Sequence, residues 1–392
     1  MNTRAPNSRL EVLLKDIDLP ARAYELAENR YKDLGQWIAR PDSTLAQYDA
    51  HVFVQGSFAL GTPIRPINDD DEYDLDFTCK LREGISRDTH TQQQLKDLIG
   101  GELADYRHAR RIDRPLQSKK RCWRLSYKDE LPFHMDVVPG IRADDERRRY
   151  LREQMELRDM PASLAQDIAS KALWITDEQH LAYRALSREW PSSNPGGYQQ
   201  WFLSRMRPPE QRGFLAEAQV DPVPVYRSKA PLQQVVQLLK RHRDVYFAGD
   251  VDVKPASILI TTIAGEAYMH RETLPQTLRR ILLALDQIRI SDTDVIRNPI
   301  NPKENFADRW YQPDCVALEL KRHFHEWIEA ANRDFAAFLT VAQAGRLMEM
   351  ADDHFGLRLP QDAFRHIAGV VAVPGTTRHI HVTSTPARPW GH

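Results

Sequence analysis

The stretch QGSFALGTPIRPINDDDEYDLDFTCK, residues 55–80, decides the fold. It follows His51-Val52-Phe53-Val54, which reads as a short buried strand. Gly56-Ser57 then opens a short helical turn ending at Gly61-Thr62, and a Pro-rich loop leads through an acidic cluster into Tyr73-Asp74-Leu75-Asp76-Phe77. Residues two apart on a strand share a face, so Asp74 and Asp76 set two carboxylates side by side while Tyr73, Leu75 and Phe77 turn to a core. Two such charges repel unless a cation sits between them. A pair of Mg2+ (or Mn2+) ions suits them, since hard ions favour carboxylate and phosphate oxygens. Gly56 lets the backbone approach a ligand closely, and the following turn, with the Ser57 hydroxyl, offers donors to an anion. An anion cradle followed by a carboxylate pair points to a nucleoside triphosphate held at both ends. Alone, each half is unspecific, and most Asp-x-Asp pairs are solvated strand edges. The ordered combination carries the reading.

Working outward, 392 residues suffice for about two or three domains. A net charge of −1 excludes a global attraction to nucleic acid or membrane, so any basic site is local. No apolar run approaches membrane-spanning length, and MNTRAPNSRLEVLL lacks the apolar core of a signal peptide. Cys79, Cys122 and Cys315 show no paired or metal-type spacing. These features lead us to expect a cytoplasmic protein with no membrane partner.

Upstream, Tyr24, Ala27, Tyr31, Leu34 and Trp37 make one apolar stripe, predicting a helix over 19–40. Downstream, a helix is expected from Asp88 to Tyr106. Residues 107–128 are then basic: Arg107, Arg110, Arg111, Arg114, Lys119, Lys120, Arg121, Arg124 and Lys128 face only Asp113. This segment reads as a solvated strand face, a basic wall near phosphates, or a surface for a nucleic-acid activator. In Leu131–Gly140, Phe133, Met135 and Val137 share one strand face, His134 and Asp136 the other. Asp136 suits a third metal carboxylate from a neighbouring strand, with His134 as a packing or hydrogen-bonding neighbour rather than a ligand. Arg142–Arg158 is a charged helix or loop, residues 161–190 carry helical spacing, and Tyr198–Arg207 makes a further helix. Asp221-Pro222-Val223-Pro224 marks a boundary, giving a first unit over 1–222, a helical unit over 223–373 and a mobile tail over 374–392. Helices are expected from Pro231, from Pro255, and over 273–289 and 314–343, with a long irregular connection at 298–308.

The first motif has the polymerase-beta-like nucleotidyltransferase form, G-S followed at variable distance by [D/E]-x-[D/E]. Together with FHMDVVP, LLKRHRD, KPASILITT and NPINPKENFADRW it resembles the bacterial cGAS/DncV-like nucleotidyltransferases (CD-NTases), the cyclic-oligonucleotide synthases of antiphage defence, over residues 50–345. The resemblance implies an α+β fold: a polymerase-beta-like nucleotidyltransferase core of mixed sheet and helices, a helical C-terminal lobe, and a cleft between them. It implies Asp74, Asp76 and Asp136 as the catalytic, metal-binding carboxylates and Gln55, Gly56 and Ser57 as the triphosphate cradle. Lys240 would contact phosphate from the helical lobe, while Ser257 and Asp308 would line the cleft. The substrates would be NTPs (ATP, and GTP or a pyrimidine triphosphate), with two Mg2+ or Mn2+ ions. The product would be a cyclic di- or trinucleotide released with pyrophosphate. A regulatory or conjugating protein partner would use the C-terminal tail. No Cys/His cluster resembles the zinc insertion of the animal sensors.

Three rivals compete. A linear polymerising or tRNA-tailing nucleotidyltransferase shares the carboxylates. A catalytically silent nucleic-acid-binding protein would use residues 107–128, but three intact carboxylates oppose it. A toxin–antitoxin modifier that nucleotidylates proteins is usually much shorter.

Overall fold

The computed structural model of the chain describes residues 4–68, 71–128, 131–207, 228–360, 362–364 and 367. It opens with two helices, α1 (Arg4–Ile17) and α2 (Ala21–Ile38). The apolar stripe of α2 behaves as its spacing dictates, with Ala27, Tyr31 and Leu34 buried and Pro20 at the N-cap. The first helix was not anticipated, although Leu10, Leu13, Leu14 and Ile17 are buried at three- and four-residue steps.

β1 (Ala50–Val54) leads into the short helix α3 (Gly56–Leu60), which Gly61 ends in the left-handed conformation at φ +68°. β2 (Tyr73–Leu81) returns antiparallel to β1. α4 (Gln92–Ala109) begins at a reciprocal Thr91–Gln94 capping box and packs Leu95, Ile99 and Leu103 onto the sheet. Then come β3 (Gln117–Ser118), β4 (Trp123–Tyr127) and β5 (Phe133–Arg142). The strand order is β1-β2-β5-β4-β3. β5 is the hub: it runs parallel to β2 along its length and antiparallel to β4 over its first half. The β2–β5 register sets Asp74 beside His134 and Asp76 beside Asp136.

Past β5 the chain forms α5 (Asp145–Glu156), capped by Asp144, and α6 (Ala162–Ser170). The helix expected over 161–190 stops there. Leu173-Trp174-Ile175 instead forms β6 against Gly140–Arg142, and β7 (Ser192–Ser193) pairs with β6. An open sheet edge outweighed helical spacing. α7 (Pro195–Met206) follows, its N-terminus capped by Asn194. The expected boundary at 222/223 and the tail 374–392 lie outside the described residues.

The C-terminal part is helical: α8 (Pro231–Tyr246), α9 (Ser257–Ala267), α10 (Leu274–Ile290), α11 (Leu320–Thr340) and α12 (Ala344–Phe355). α11 starts later than the expected 314, because Glu319 adopts φ +47° after a short 3-10 turn. The connection at 298–308 is not irregular throughout: β8 (Arg297–Asn298) and β9 (Asn301–Asn305) form a small hairpin.

Two apolar clusters dominate the interior. One joins α2, α4 and the sheet face carrying Leu75, Phe77, Met135 and Val137. The other joins α1, α5, α6 and α7 to the C-terminal helices, around Trp327, Phe335 and Phe355. The opposite face of the sheet, with Asp74 and Asp76, is thereby left to a cleft under α8.

Tyr31 fastens α2 to the strands that carry the carboxylates. Its ring stacks on Phe77 at 5.1 Å between centroids and 10° between planes, and its hydroxyl donates to the Val52 carbonyl at 2.9 Å. Tyr31→Ala is expected to cost about 3–5 kcal/mol by leaving a cavity, and Tyr31→Phe about 1–3 kcal/mol by orphaning a buried carbonyl. Urea unfolding of both variants measures this, and equal costs would show that the hydroxyl contributes nothing.

Candidate active site

The strand alternation that buries Leu75 and Phe77 necessarily presents Asp74 and Asp76 on the other face. Parallel pairing adds Asp136 beside Asp76, so three carboxylates from two strands converge. Ligand atoms of Asp74, Asp136 and His134 lie within 4.8 Å of one another. Asp76 is the most crowded of the acids. Burial, then the charges of Asp74 and Asp136, push its carboxyl up to about 7. A buried acid held this high, with two further carboxylates crowded against it, belongs to a set of oxygen donors that fits a divalent metal.

Two basic side chains stand beside these acids. Arg124, opposite Asp136 on β4, donates Nε to Oδ1 at 2.7 Å and Nη2 to Oδ2 at 2.6 Å. His134 places Nε2 2.9 Å from Asp74 Oδ1 and Nδ1 3.1 Å from Glu72 Oε2, and Glu72 also accepts from Arg114. Burial opposes the charge on His134, but the bond to Asp74 and that carboxylate's charge outweigh it and raise its pKa. His134 is thus hydrogen-bonded to Glu72 and Asp74, and its ring nitrogen also lies within the group of atoms that could hold a metal ion.

A cleft of about 770 Å³ opens over Asp74 and Asp76, lined also by Gly56, Ser57, Lys240 and Ser257. Gly56 has φ +62°, and a Cβ there would lie 2.1 Å from Asp76 Oδ2. The glycine assigned to ligand approach is thus also required by the carboxylate behind it. Lys240 enters from α8 and donates to the Thr62 carbonyl at 2.9 Å. Burial first, then Arg243, lowers its pKa to about 8. Ser257 Oγ accepts from Arg243 Nη1 at 2.7 Å. Arg243 also binds Asp244, whose charge Lys254 shares at 3.4 Å, and all three line the cleft.

Two expected residues are placed elsewhere. Gln55 turns into the sheet, where its Oε1 accepts from Thr78 at 2.9 Å, and it does not line the cleft. Asp308 starts an exposed 3-10 turn, accepts from Gln312 at 3.1 Å, and is likewise absent from the lining. The basic segment 107–128 is largely folded onto its own acids and carbonyls. Arg107 donates to the Arg114 carbonyl, Arg110 pairs with Asp33, Arg114 with Glu72, and Lys120 and Arg121 with Asp177. Sequence reasoning missed Arg124 as the partner of Asp136. The signal lay in the alternation of Trp123-Arg124-Leu125-Ser126-Tyr127, which sets Arg124 on the polar face.

Residues 50–139 match the family model "Cyclic GMP-AMP synthase DncV-like, nucleotidyltransferase domain". The chain is 26% identical over 328 residues to a c-di-GMP synthase of Roseivirga ehrenbergii, covering 80% of this chain and 76% of the relative. It is 27% identical over 360 residues to the cyclic dinucleotide synthase CdnG of Bradyrhizobium diazoefficiens, covering 89% and 80%. The fold superposes on the structure of that CdnG solved with GTP at a TM-score of 0.64, with 23% identity, over 90% of this chain and 96% of the other. No helix among the described residues is long and apolar enough to cross a membrane.

Two outcomes follow from this geometry. Gly56→Ala should lower turnover at least a hundredfold, about 3 kcal/mol of transition-state stabilisation, with an unchanged circular dichroism spectrum; near-normal turnover would mean that Asp76 swings aside without consequence. Asp76 titrates in the folded, metal-free protein well above the ordinary value of 3.8. Its contribution to stability is therefore present at low pH and lost as pH rises through about 7. In EDTA, the Tm advantage of Asp76→Asn over wild type should widen from pH 4.5 to pH 7 and level off above about pH 8. A pH-independent difference in thermal melts would contradict the crowding of Asp76.

Proposed function

Because the chain belongs to the bacterial cGAS/DncV-like nucleotidyltransferases, we propose that it joins nucleoside triphosphates into a cyclic di- or trinucleotide second messenger for antiphage signalling, releasing pyrophosphate. The observation that carries this reading is the parallel register that sets Asp76 beside Asp136, with Asp74 on the same floor, under a cleft entered by Lys240. Asp74, Asp76 and Asp136 are the residues that would hold two Mg2+ or Mn2+ ions. Such ions, when bound, supply charge neutralisation on the triphosphate and a lowered pKa for the attacking ribose hydroxyl.

The chain's own groups do the remaining work. Ser57 and the main chain at Gly56 receive the triphosphate at the cleft wall, where a side chain at position 56 would collide with Asp76. Lys240 already gives one bond to Thr62, which fixes its ammonium at the cleft edge and leaves further protons for phosphate oxygens. Asp136 lies next to Asp76 and outside the cleft lining, where it would hold an ion together with Asp76. Ring closure requires a linear intermediate to re-enter the same site, and a volume of about 770 Å³ lies in the upper part of the range for small-molecule sites, about 300–1,000 Å³. The names of the two relatives support a cyclic dinucleotide as product.

The test is incubation of the full chain with radiolabelled ATP, GTP, CTP and UTP and Mg2+ or Mn2+, then alkaline phosphatase and chromatography, with Asp136→Ala as the blank. A labelled product that survives phosphatase is expected from wild type alone. A cyclic product keeps its mobility through the phosphatase step. A product whose mobility shifts because phosphatase strips a 5′-terminal triphosphate would leave a linear polymerising enzyme, and full recovery of the label as inorganic phosphate would mean that no internucleotide bond formed.

A further inference from the structure

Across β2, β5 and β4 the register aligns polar side chains in two rows on one face of the sheet. Asp76 lies beside Asp136 and Asp136 beside Arg124, while Asp74 lies beside His134 and His134 beside Ser126. The rows read acid, acid, base and acid, base, hydroxyl. In the first, the guanidinium of Arg124 grips both oxygens of Asp136, a planar fork on a planar carboxylate. Asp136 is only 9% exposed, and the cleft lining includes Asp74 and Asp76 but not Asp136. The Arg124 side chain is 28% exposed, so it has a route to water.

We infer that Arg124 is the resident counter-cation of the metal centre. It neutralises Asp136 while no divalent ion is bound, and it raises the ion concentration at which Asp136 becomes a ligand. The inference rests on the reading of Asp74, Asp76 and Asp136 as the metal carboxylates. A guanidinium keeps its charge at every pH the protein meets, so this counter-cation does not titrate away. An ion entering between Asp76 and Asp136 must take an oxygen from Arg124 or lie within a few ångströms of its charge, and repulsion at that range in a half-buried site is substantial. Arg124 can yield by rotating toward solvent, which leaves no unpaired buried charge. An arriving triphosphate brings negative charge that offsets the same repulsion, so Asp136 is loaded together with nucleotide rather than ahead of it. Arg124 acts through Asp136 and is a positioning residue.

Mn2+ binding to the nucleotide-free full chain, followed by electron paramagnetic resonance of free Mn2+, tests this. Arg124→Gln should bind Mn2+ roughly tenfold more tightly than wild type, because a repelling charge is gone. Arg124→Lys keeps the charge and should stay nearer wild type than the Gln variant. In an Asp136→Asn background the gain from Arg124→Gln should be smaller than in wild type, since the clasp on Asp136 is already gone and only the through-space repulsion remains. Should the Gln variant fail to fold by circular dichroism, the uncharged Arg124→Met serves the same comparison. Unchanged or weaker Mn2+ binding in the neutral variants, or an equal gain for Arg124→Lys, overturns the inference. If Asp76→Asn and Asp136→Asn both leave Mn2+ binding at the wild-type level, the carboxylate assignment itself fails, and the role of Arg124 with it.

Discussion

Repulsion among three carboxylates is the constraint on which the rest of this structure depends. Asp74, Asp76 and Asp136 meet because β2 and β5 run parallel in one register, and that register has to be held by something other than the acids themselves. The holding is done from behind. Leu75, Phe77, Met135 and Val137 bury the far face of the same strands against α2 and α4, and the Tyr31–Phe77 stack and the Thr91–Gln94 cap anchor those helices. A sheet packed tightly on one face can carry a charge conflict on the other. The cost falls on Asp76, for which no hydrogen-bonded basic partner is seen among the described residues comparable with His134 on Asp74 or Arg124 on Asp136.

The distribution of cations follows from this. A segment with nine basic residues looks, as a string of letters, like a surface for a polyanion. In the fold it acts mainly as internal counter-charge: Arg114 supports Glu72, Glu72 orients His134, His134 meets Asp74, and Arg124 clasps Asp136. Arg110 and Arg121 serve Asp33 and Asp177, away from the cleft. Composition sets the net charge of −1, and pairing within the molecule decides where the individual charges are spent.

How much was legible in the sequence depended on the range of the interaction. Period-two alternation around Asp74 and Asp76, and again around Asp136, settled which side chains share a face, because that geometry is local to each strand. The helical C-terminal part was legible in the same local way, whereas the α+β architecture was implied by the resemblance of several motifs to a known family. Pairings between distant segments were not. The spacing of 161–190 gave no hint that Leu173–Ile175 would complete a sheet edge, and Arg124 read as one of many basic residues until β4 lay beside β5. Motif order fixes where Gln55 and Asp308 sit in the chain but not which way their side chains turn. For Gln55 the Thr78 hydroxyl decided that, and for Asp308 a surface turn did.

α8 holds the strap between α3 and the acidic cluster, residues 60–65, by its side chains. Gln233 donates to the carbonyl of Leu60 at 2.9 Å, Gln237 to Pro63 at 2.7 Å, Lys240 to Thr62 at 2.9 Å and Arg241 to Arg65 at 2.6 Å. Every acceptor belongs to the main chain, which all residue types share, and every donor belongs to a particular side chain. The tolerance of the two partners to change is therefore lopsided. The strap can accept new side chains and still be gripped, whereas the helix can lose its grip through any one of four positions. Evolution has latitude to reshape the rim of the cleft on the strap side, and with it what the cleft admits, while α8 keeps the two halves of the molecule in step.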